Sequence, residues 1–232
     1  ISRFKSYIAY TDIDLSGVEV MGGEMYDETQ LEKAINKKSR NKSAVELYKV
    51  QFEGHLAVVY CGGVNHAMDV AKEFNDAGIS AEVISGNTPD DESSDSKKAI
   101  LERFNNGETK ILCNARILIE GFDEPKMSVC LNLHPTLSLV DAEQRAGRAL
   151  RLDPDNSEKW AYIVDFIDRT DGKKRFEPTK KETIDRVHGS AALKMYDNNF
   201  IAMPEIVGGR QNPIIINNAC CSWHKLAHTF TF

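Results

Sequence analysis

A chain of 232 residues, 41% hydrophobic and 28% charged, with seven prolines and fifteen glycines, reads as one compact globular domain with appendages. That composition excludes collagen-like and disordered classes. The net charge of −6, from 29 basic and 35 acidic side chains, gives no global pull on a polyanion, so any nucleic-acid contact must be local. The longest apolar runs, such as Leu56 to Cys61 and Ile214 to Ile216, fall far short of the roughly 18 to 20 residues of a membrane-spanning helix. Five cysteines are an odd count, and Cys61, Cys113 and Cys130 sit in apolar runs where a reduced thiol packs as a small hydrophobe, pointing to a reducing cytoplasmic compartment. The chain opens on Ile1 without the basic-then-apolar layout of a secretory signal, so it is expected to be a piece of something longer.

Residues 1–52 hold two candidate strands, Lys5 to Tyr10 and Val18 to Met21, then a helix opening at Asp27 with Gln30 as capping partner. A second helix is expected from about Lys42 to Phe52, and the whole segment is read as a connector packed on a sheet. From Glu53 to Arg169 short β-rich runs alternate with helical stretches, the pattern of a parallel sheet covered by helices. Leu56 to Cys61 reads as a strand buried on both faces. It leads into Gly62-Gly63 and a helix carrying Ala67, Val70, Ala71 and Phe74, with Asn65 as cap and Gly78 as stop. A strand from Ala81 to Ser85 precedes a helix expected to open at Thr88-Pro89, with Ala99, Ile100, Leu101 and Phe104 on its buried side and Gly107 at its end. Strands follow at Lys110 to Asn114, Val129 to Leu133 and Trp160 to Phe166, with a helix from about Ser138 to Leu150. Residues 170–232 lose the alternation and switch to a net +3, nine basic against six acidic side chains.

Three places carry polar residues and glycines just past strand ends, where ligands of open α/β sheets bind. In Gln144-Arg-Ala-Gly-Arg-Ala-Leu-Arg151, residues Gln144, Arg148 and Arg151 fall at i, i+4 and i+7 of one helix and share a face suited to a phosphate. A solvated basic face that includes Arg145 is the plainer alternative. Against it stands Gly147, because a glycine inside a helix costs about 1 kcal/mol relative to alanine and points to close approach by a backbone or ligand. The second place is the loop Glu120-Gly121-Phe122-Asp123-Glu124-Pro125, and the third is Gly62-Gly63-Val64-Asn65-His66, where backbone N–H groups at a helix start can hold a phosphate. His66, His134 and His188 have no partner at catalytic spacing and read as loop or capping residues.

In this order and spacing the three segments resemble motifs IV, V and VI of the superfamily-two helicases, in their second RecA-like lobe. Gln144 to Arg151 fits the family pattern Gln-Arg-x-Gly-Arg-x-x-Arg at every fixed position, and residues 120–125 match the motif V form of the restriction-subunit-like and repair-type branch. The resemblance covers about residues 1–168. It implies a RecA-like, three-layer α/β/α fold with an open parallel sheet at 53–169, flanked by the connector at 1–52 and an unplaced extension at 170–232. It also implies that Arg148 and Arg151 are arginine fingers on the γ-phosphate of ATP, a role worth roughly 10³ to 10⁵ in rate. Gln144 would sense that phosphate or its water, and Gly121 and Asp123 would lie near the nucleotide sugar. Gly62, Gly63, Asn65, Asn114 and Ala115 would touch a nucleic-acid backbone, with DNA favoured over RNA, although many relatives carry Thr or Ser where this chain has Ala115.

No Gly-Lys-Ser/Thr phosphate loop and no strand-borne acid for magnesium stands in the sequence. The expectation is therefore half of an ATPase: ATP and Mg²⁺ belong to a complete two-lobe enzyme, the first lobe precedes Ile1, and this chain, a monomer, does not hydrolyse ATP alone. The alternative is a non-catalytic module that docks nucleic acid or a protein. Cys220, Cys221, His224 and His228 lack zinc-site spacing and are read as structural or adventitious, so no metal site is assigned.

Overall fold

The structure, a computed structural model, describes residues 2–22, 25–115, 124–169 and 214–217. Six parallel strands form its centre: β1 (Arg3–Asp14), β4 (Ala57–Cys61), β5 (Ala81–Ser85), β6 (Ile111–Ala115), β7 (Val129–Asn132) and β8 (Trp160–Arg169). They lie in the order β5-β6-β4-β7-β8-β1, and β9 (Ile214–Asn217) adds an antiparallel edge beside β1. A separate two-stranded hairpin pairs β2 (Val20–Met21) with β3 (Met25–Tyr26).

Every residue of β4, β6 and β7 is buried, which explains their predominantly apolar sequences: both faces are covered. Ala57, Val59 and Cys61 point with Ile111, Cys113, Val129 and Leu131 toward α2 (Lys38–Gln51) and α3 (Val64–Asp76). Val58, Leu112, Cys130 and Ile163 point the other way, toward α4 (Lys97–Asn105) and α5 (Leu139–Ala149). The result is the expected three-layer α/β/α sandwich. Its three buried cysteines are free thiols packed in these layers, as their apolar surroundings required. Large aromatic groups fill the α2/α3 side, where Tyr48 meets Phe74 edge-on with centroids 5.7 Å apart and Phe52 meets Tyr7 at 5.2 Å. Each fully buried side chain of that size contributes about 1.5–3 kcal/mol through lost apolar exposure.

Three expectations are corrected. Residues 3–14 do not lie over the sheet as part of a connector; they enter it as β1, in register from Arg3 beside Trp160 to Tyr10 beside Ile167, because Tyr7 and Ala9 supply the buried side chains of an interior strand. The second helix starts at Lys38 rather than Lys42. The helix expected from Thr88 begins only at Lys97, capped by Ser96, whose hydroxyl accepts from the Ala99 N–H at 3.3 Å. Residues 89–95 hold no apolar side chain to bury, and Asp91 instead turns the chain by accepting from the Ser93 N–H at 2.9 Å. Thr88 serves the preceding strand, its Oγ1 accepting from the Ser85 N–H at 2.8 Å.

A buried ion pair ties the N-terminal helices to the sheet. Arg40, 2% exposed on α2, donates from Nε (3.0 Å) and Nη2 (2.8 Å) to the two carboxylate oxygens of Asp168, and from Nη1 to the Leu133 carbonyl at 2.7 Å. The Thr11 hydroxyl donates to the same carboxylate, and the guanidinium lies over the Phe166 ring. One arginine thus joins α2, β1, β8 and the end of β7, a link the sequence pattern did not announce. The shorter α1 (Glu28–Ile35) packs Leu31 and Ile35 on Leu15 and Tyr26. Its cap is as expected on one side only: Asp27 accepts from the Gln30 N–H at 2.8 Å, but the Gln30 side chain turns to the Glu19 N–H.

Candidate nucleotide and nucleic-acid site

Helix α5 opens at Ser138, whose hydroxyl accepts from the Asp141 N–H at 3.3 Å, and its sequence divides cleanly between two faces. Ala142, Arg145, Ala146, Ala149 and Leu150 are buried against the sheet. Gln144 is exposed, while Gly147, Arg148 and Arg151 are half-buried. The plainer alternative, a solvated face that included Arg145, is thereby excluded for that residue. Arg145 is 5% exposed, donates to both carboxylate oxygens of Asp141, with Nε at 3.0 Å, and reaches the His134 carbonyl at 2.8 Å. Its guanidinium carbon stands 5.2 Å above the Tyr60 ring. The signal for this role was present as Asp141 and Arg145 at i, i+4 spacing.

The remaining members of the string are placed differently from a single helical stripe. Arg148 lies on α5 with its Nε buried, close enough to the Tyr60 hydroxyl that its positive charge opposes the rise that burial imposes on that phenol's pKa. Arg151 falls past the C-cap residue Leu150. Its carbonyl accepts from Ser2 Oγ at 2.7 Å and Lys159 Nζ at 2.9 Å. Burial lowers the pKa of Lys159 to about 8, against the pull of Asp153 and Glu124. Ser2 and Lys159 precede β1 and β8, so α5 runs back from the carboxyl edge of the sheet and delivers Arg151 to the opposite edge. A Cβ added at Gly147 would meet no described atom within 4 Å. No described backbone therefore accounts for that glycine, which leaves open space on α5 between exposed Gln144 and half-buried Arg148.

The Gly62-Gly63 turn has a specific cause. A Cβ at Gly62 would lie 2.8 Å from Ile35 Cδ1, and one at Gly63 would overlap the Glu32 carboxylate. Both glycines thus admit α1, whose Glu32 accepts from the His66 N–H at 2.9 Å and caps α3 where no side chain of its own does. Asn65, expected as the cap, is exposed in the first turn, and Gly63 holds the N-cap position. His66 is fully buried, not a loop residue. Its Nδ1 accepts from the Gly62 N–H at 3.1 Å and its Nε2 faces Asn41 Oδ1 at 3.2 Å, which assigns the proton to Nε2. Burial, assisted by Arg40, lowers its pKa to about 3.

At the end of β6, Asn114 and Ala115 point to opposite faces. Ala115 packs in the α2/α3 core, whereas Asn114 lies beside Tyr60, 3% exposed, and its Oδ1 meets no donor among the described residues. Gly121 and Asp123 lie outside the described residues, as do Cys220, Cys221, His224 and His228. Among the described residues no group of three or more His, Cys, Asp or Glu side chains is arranged to hold a metal ion.

An open parallel sheet layered between helices, with a crossover helix carrying the Gln-Arg-x-Gly-Arg-x-x-Arg string, defines the second RecA-like lobe of a superfamily-two helicase. Residues 39–153 match the helicase conserved C-terminal domain, and the chain belongs to that family. It is 33% identical over 161 residues to a 51.5 kDa protein of a Lactococcus phage, a match covering 69% of this chain and 34% of that protein. It is 32% identical over 160 residues to IRC3 of Saccharomyces cerevisiae, by name an ATP-dependent helicase, covering 67% of this chain and 22% of that one. The chain thus spans about a third and about a fifth of these two relatives. A fragment of an HsdR subunit of a type I restriction enzyme from Vibrio vulnificus shares the fold with a TM-score of 0.53 at 16% identity, over 75% of this chain and 38% of that chain.

Proposed function

We propose that this chain is the C-terminal motor lobe of an ATP-dependent helicase or translocase that acts on nucleic acid. The observation that carries the reading is the Gln144 to Arg151 string on and just past α5, in which exposed Gln144 and half-buried Arg148 and Arg151 accompany a Gly147 with open space at its Cβ position. The chemistry of this donor set fits a terminal phosphate. Planar guanidinium groups make paired hydrogen bonds to phosphate oxygens, and half-burial strengthens them relative to fully hydrated groups. Arg148 and Arg151 act as arginine fingers that stabilise charge gathering on the γ-phosphoryl group of ATP, while Gln144 orients that group or its attacking water. A finger of this kind is worth roughly 10³ to 10⁵ in rate. Gly121 and Asp123 line the nucleotide sugar.

The phosphate cradle and the acids that hold Mg²⁺ belong to a first lobe, so this polypeptide by itself does not turn over ATP. Nucleic-acid backbone contacts fall to the Gly62-Gly63 turn through the exposed Asn65, whereas Asn114 and Ala115, 3% and 2% exposed, are withdrawn from that surface. The Glu-Gly-Phe-Asp form at 120–123 supports DNA over RNA. A phosphate at the Gly62 turn shares the α3 terminus with Glu32. The protein works in the cytoplasm as a monomer, consistent with its buried reduced thiols.

Joining the chain to a first lobe is expected to give ATPase activity stimulated by nucleic acid. Arg148→Ala and Arg151→Ala should each lower kcat by about 10³-fold or more. Retained turnover in both variants would refute the assignment of the fingers.

A further inference from the structure

Four polar side chains stand side by side across the sheet beneath α5. The strand register sets Asn114 of β6 beside Tyr60 of β4, Tyr60 beside Asn132 of β7, and Asn132 beside Asp165 of β8. All are buried, between 3% and 6% exposed. Two residues earlier on the same strands and the same face, the corresponding row is Leu112, Val58, Cys130 and Ile163, wholly apolar. A polar row four strands wide at this depth costs stability unless its members are hydrogen-bonded, so it needs a reason to be there.

The contacts supply one. Asn132 Nδ2 donates to Asp165 Oδ1 at 2.8 Å, and the Cys130 thiol donates to Asn132 Oδ1 at 3.4 Å. Arg145 of α5 stacks on Tyr60, in the middle of the row. A cavity of about 10 Å³, room for about one water, lies between Arg145, His134, Asn132 and Asp165. Among the described side chains of α5, the rest of the buried face is Ala142, Ala146 and Ala149, small side chains that interlock poorly and would let a helix turn about its axis. Arg145 brings directional bonds to this surface, to Asp141 and the His134 carbonyl.

We propose that Asp165 and Asn132, acting through Arg145, are positioning residues that fix the rotation of α5 and thereby aim Arg148. This rests on the reading of Arg148 as a phosphate-contacting group. A guanidinium roughly 6 Å from the helix axis moves about 1 Å for each 10° of rotation, and a misplacement of about 1 Å can lower a rate about 10²-fold. The row thus sets the reach of a side chain it need not touch.

The test compares the wild-type chain with Asp165→Asn, with the exchange Asn132→Asp/Asp165→Asn, and with Glu102→Gln on the exposed side of α4 as control. In the chain as it stands, the Nε–H resonance of Arg148 is expected to shift and to exchange faster with water in Asp165→Asn, and to return toward its wild-type position in the exchange variant. In the two-lobe enzyme Asp165→Asn should lower kcat about 10- to 100-fold with KM for ATP unchanged, and the exchange should recover most of it. An Arg148 resonance that does not move in Asp165→Asn overturns the proposal, as does a loss of kcat that the exchange leaves in place. A wild-type two-lobe enzyme without nucleic-acid-stimulated turnover refutes the motor function, and the Arg148 resonance still decides the role of the row.

Discussion

Lowering the pH from 6 to 4 is expected to weaken the fold through His66, and the size of the effect follows from its surroundings. The neutral ring is used at both nitrogens, by the Gly62 N–H and by Asn41, and burial beside Arg40 holds its pKa near 3 against an ordinary 6.5. The unfolded chain therefore binds a proton between pH 6.5 and 3 that the folded protein refuses, so this contribution is fully present above pH 6.5 and is lost as the pH falls. A single proton gives a slope of about 1.4 kcal/mol per pH unit, and between pH 6 and 4 the loss integrates to about 2–3 kcal/mol. Carboxylates titrate in the same window, so the measurement is a difference. Urea unfolding of the wild type and of His66→Gln, at pH values from 4 to 7, isolates the histidine. The variant should be less stable at pH 7 by about 1–3 kcal/mol for its altered hydrogen bonds. From pH 7 to pH 4 the gap should shift by about 3 kcal/mol in favour of the variant, enough to close or reverse it. Parallel curves across the range would show that His66 is not held neutral, and that the turn beside Gly62 is built otherwise than described.

Two further outcomes follow from buried or shared charges. Arg40→Met leaves Asp168 as an uncompensated buried carboxylate and should cost about 3–5 kcal/mol in urea unfolding, while Arg40→Met/Asp168→Leu should regain most of that loss; equal destabilisation by the single and double variants would contradict the pairing. Glu32→Gln removes a negative charge from the α3 terminus and is expected to tighten binding of a single-stranded oligonucleotide about two- to fivefold. Fluorescence anisotropy reads the change, and an unaltered affinity would detach the Gly62 turn from phosphate contact.

Much of the architecture was legible because it is written at short range. The apolar runs of β4, β6 and β7 could only be strands covered on both faces, and the 3.6-residue spacing of Ala67, Val70, Ala71 and Phe74 could only be a helix facing them. The Gln144 to Arg151 string was equally readable as a list of residue types. Its geometry was not. Helical spacing treats Arg145 as one more cation, and it extends the helix to Arg151, where the C-cap at Leu150 has already ended it. The sequence pattern also gave the loop after Thr88 to a helix, because Pro89 and its acids satisfy the capping rules while the missing apolar face goes unnoticed.

The chain's order of residues thus determined the layers, the strands and the helix that carries the arginines, since each depends on periodicity within a few neighbours. Only the folded molecule decided that Glu32, some thirty residues away in sequence, caps α3, that β1 enters the sheet beside β8, and that Arg145 turns inward onto Tyr60 while Arg148 is half-buried. Those choices rest on groups from distant segments meeting in a buried setting, where a charge or hydrogen bond left unmatched costs more than local propensity can offset.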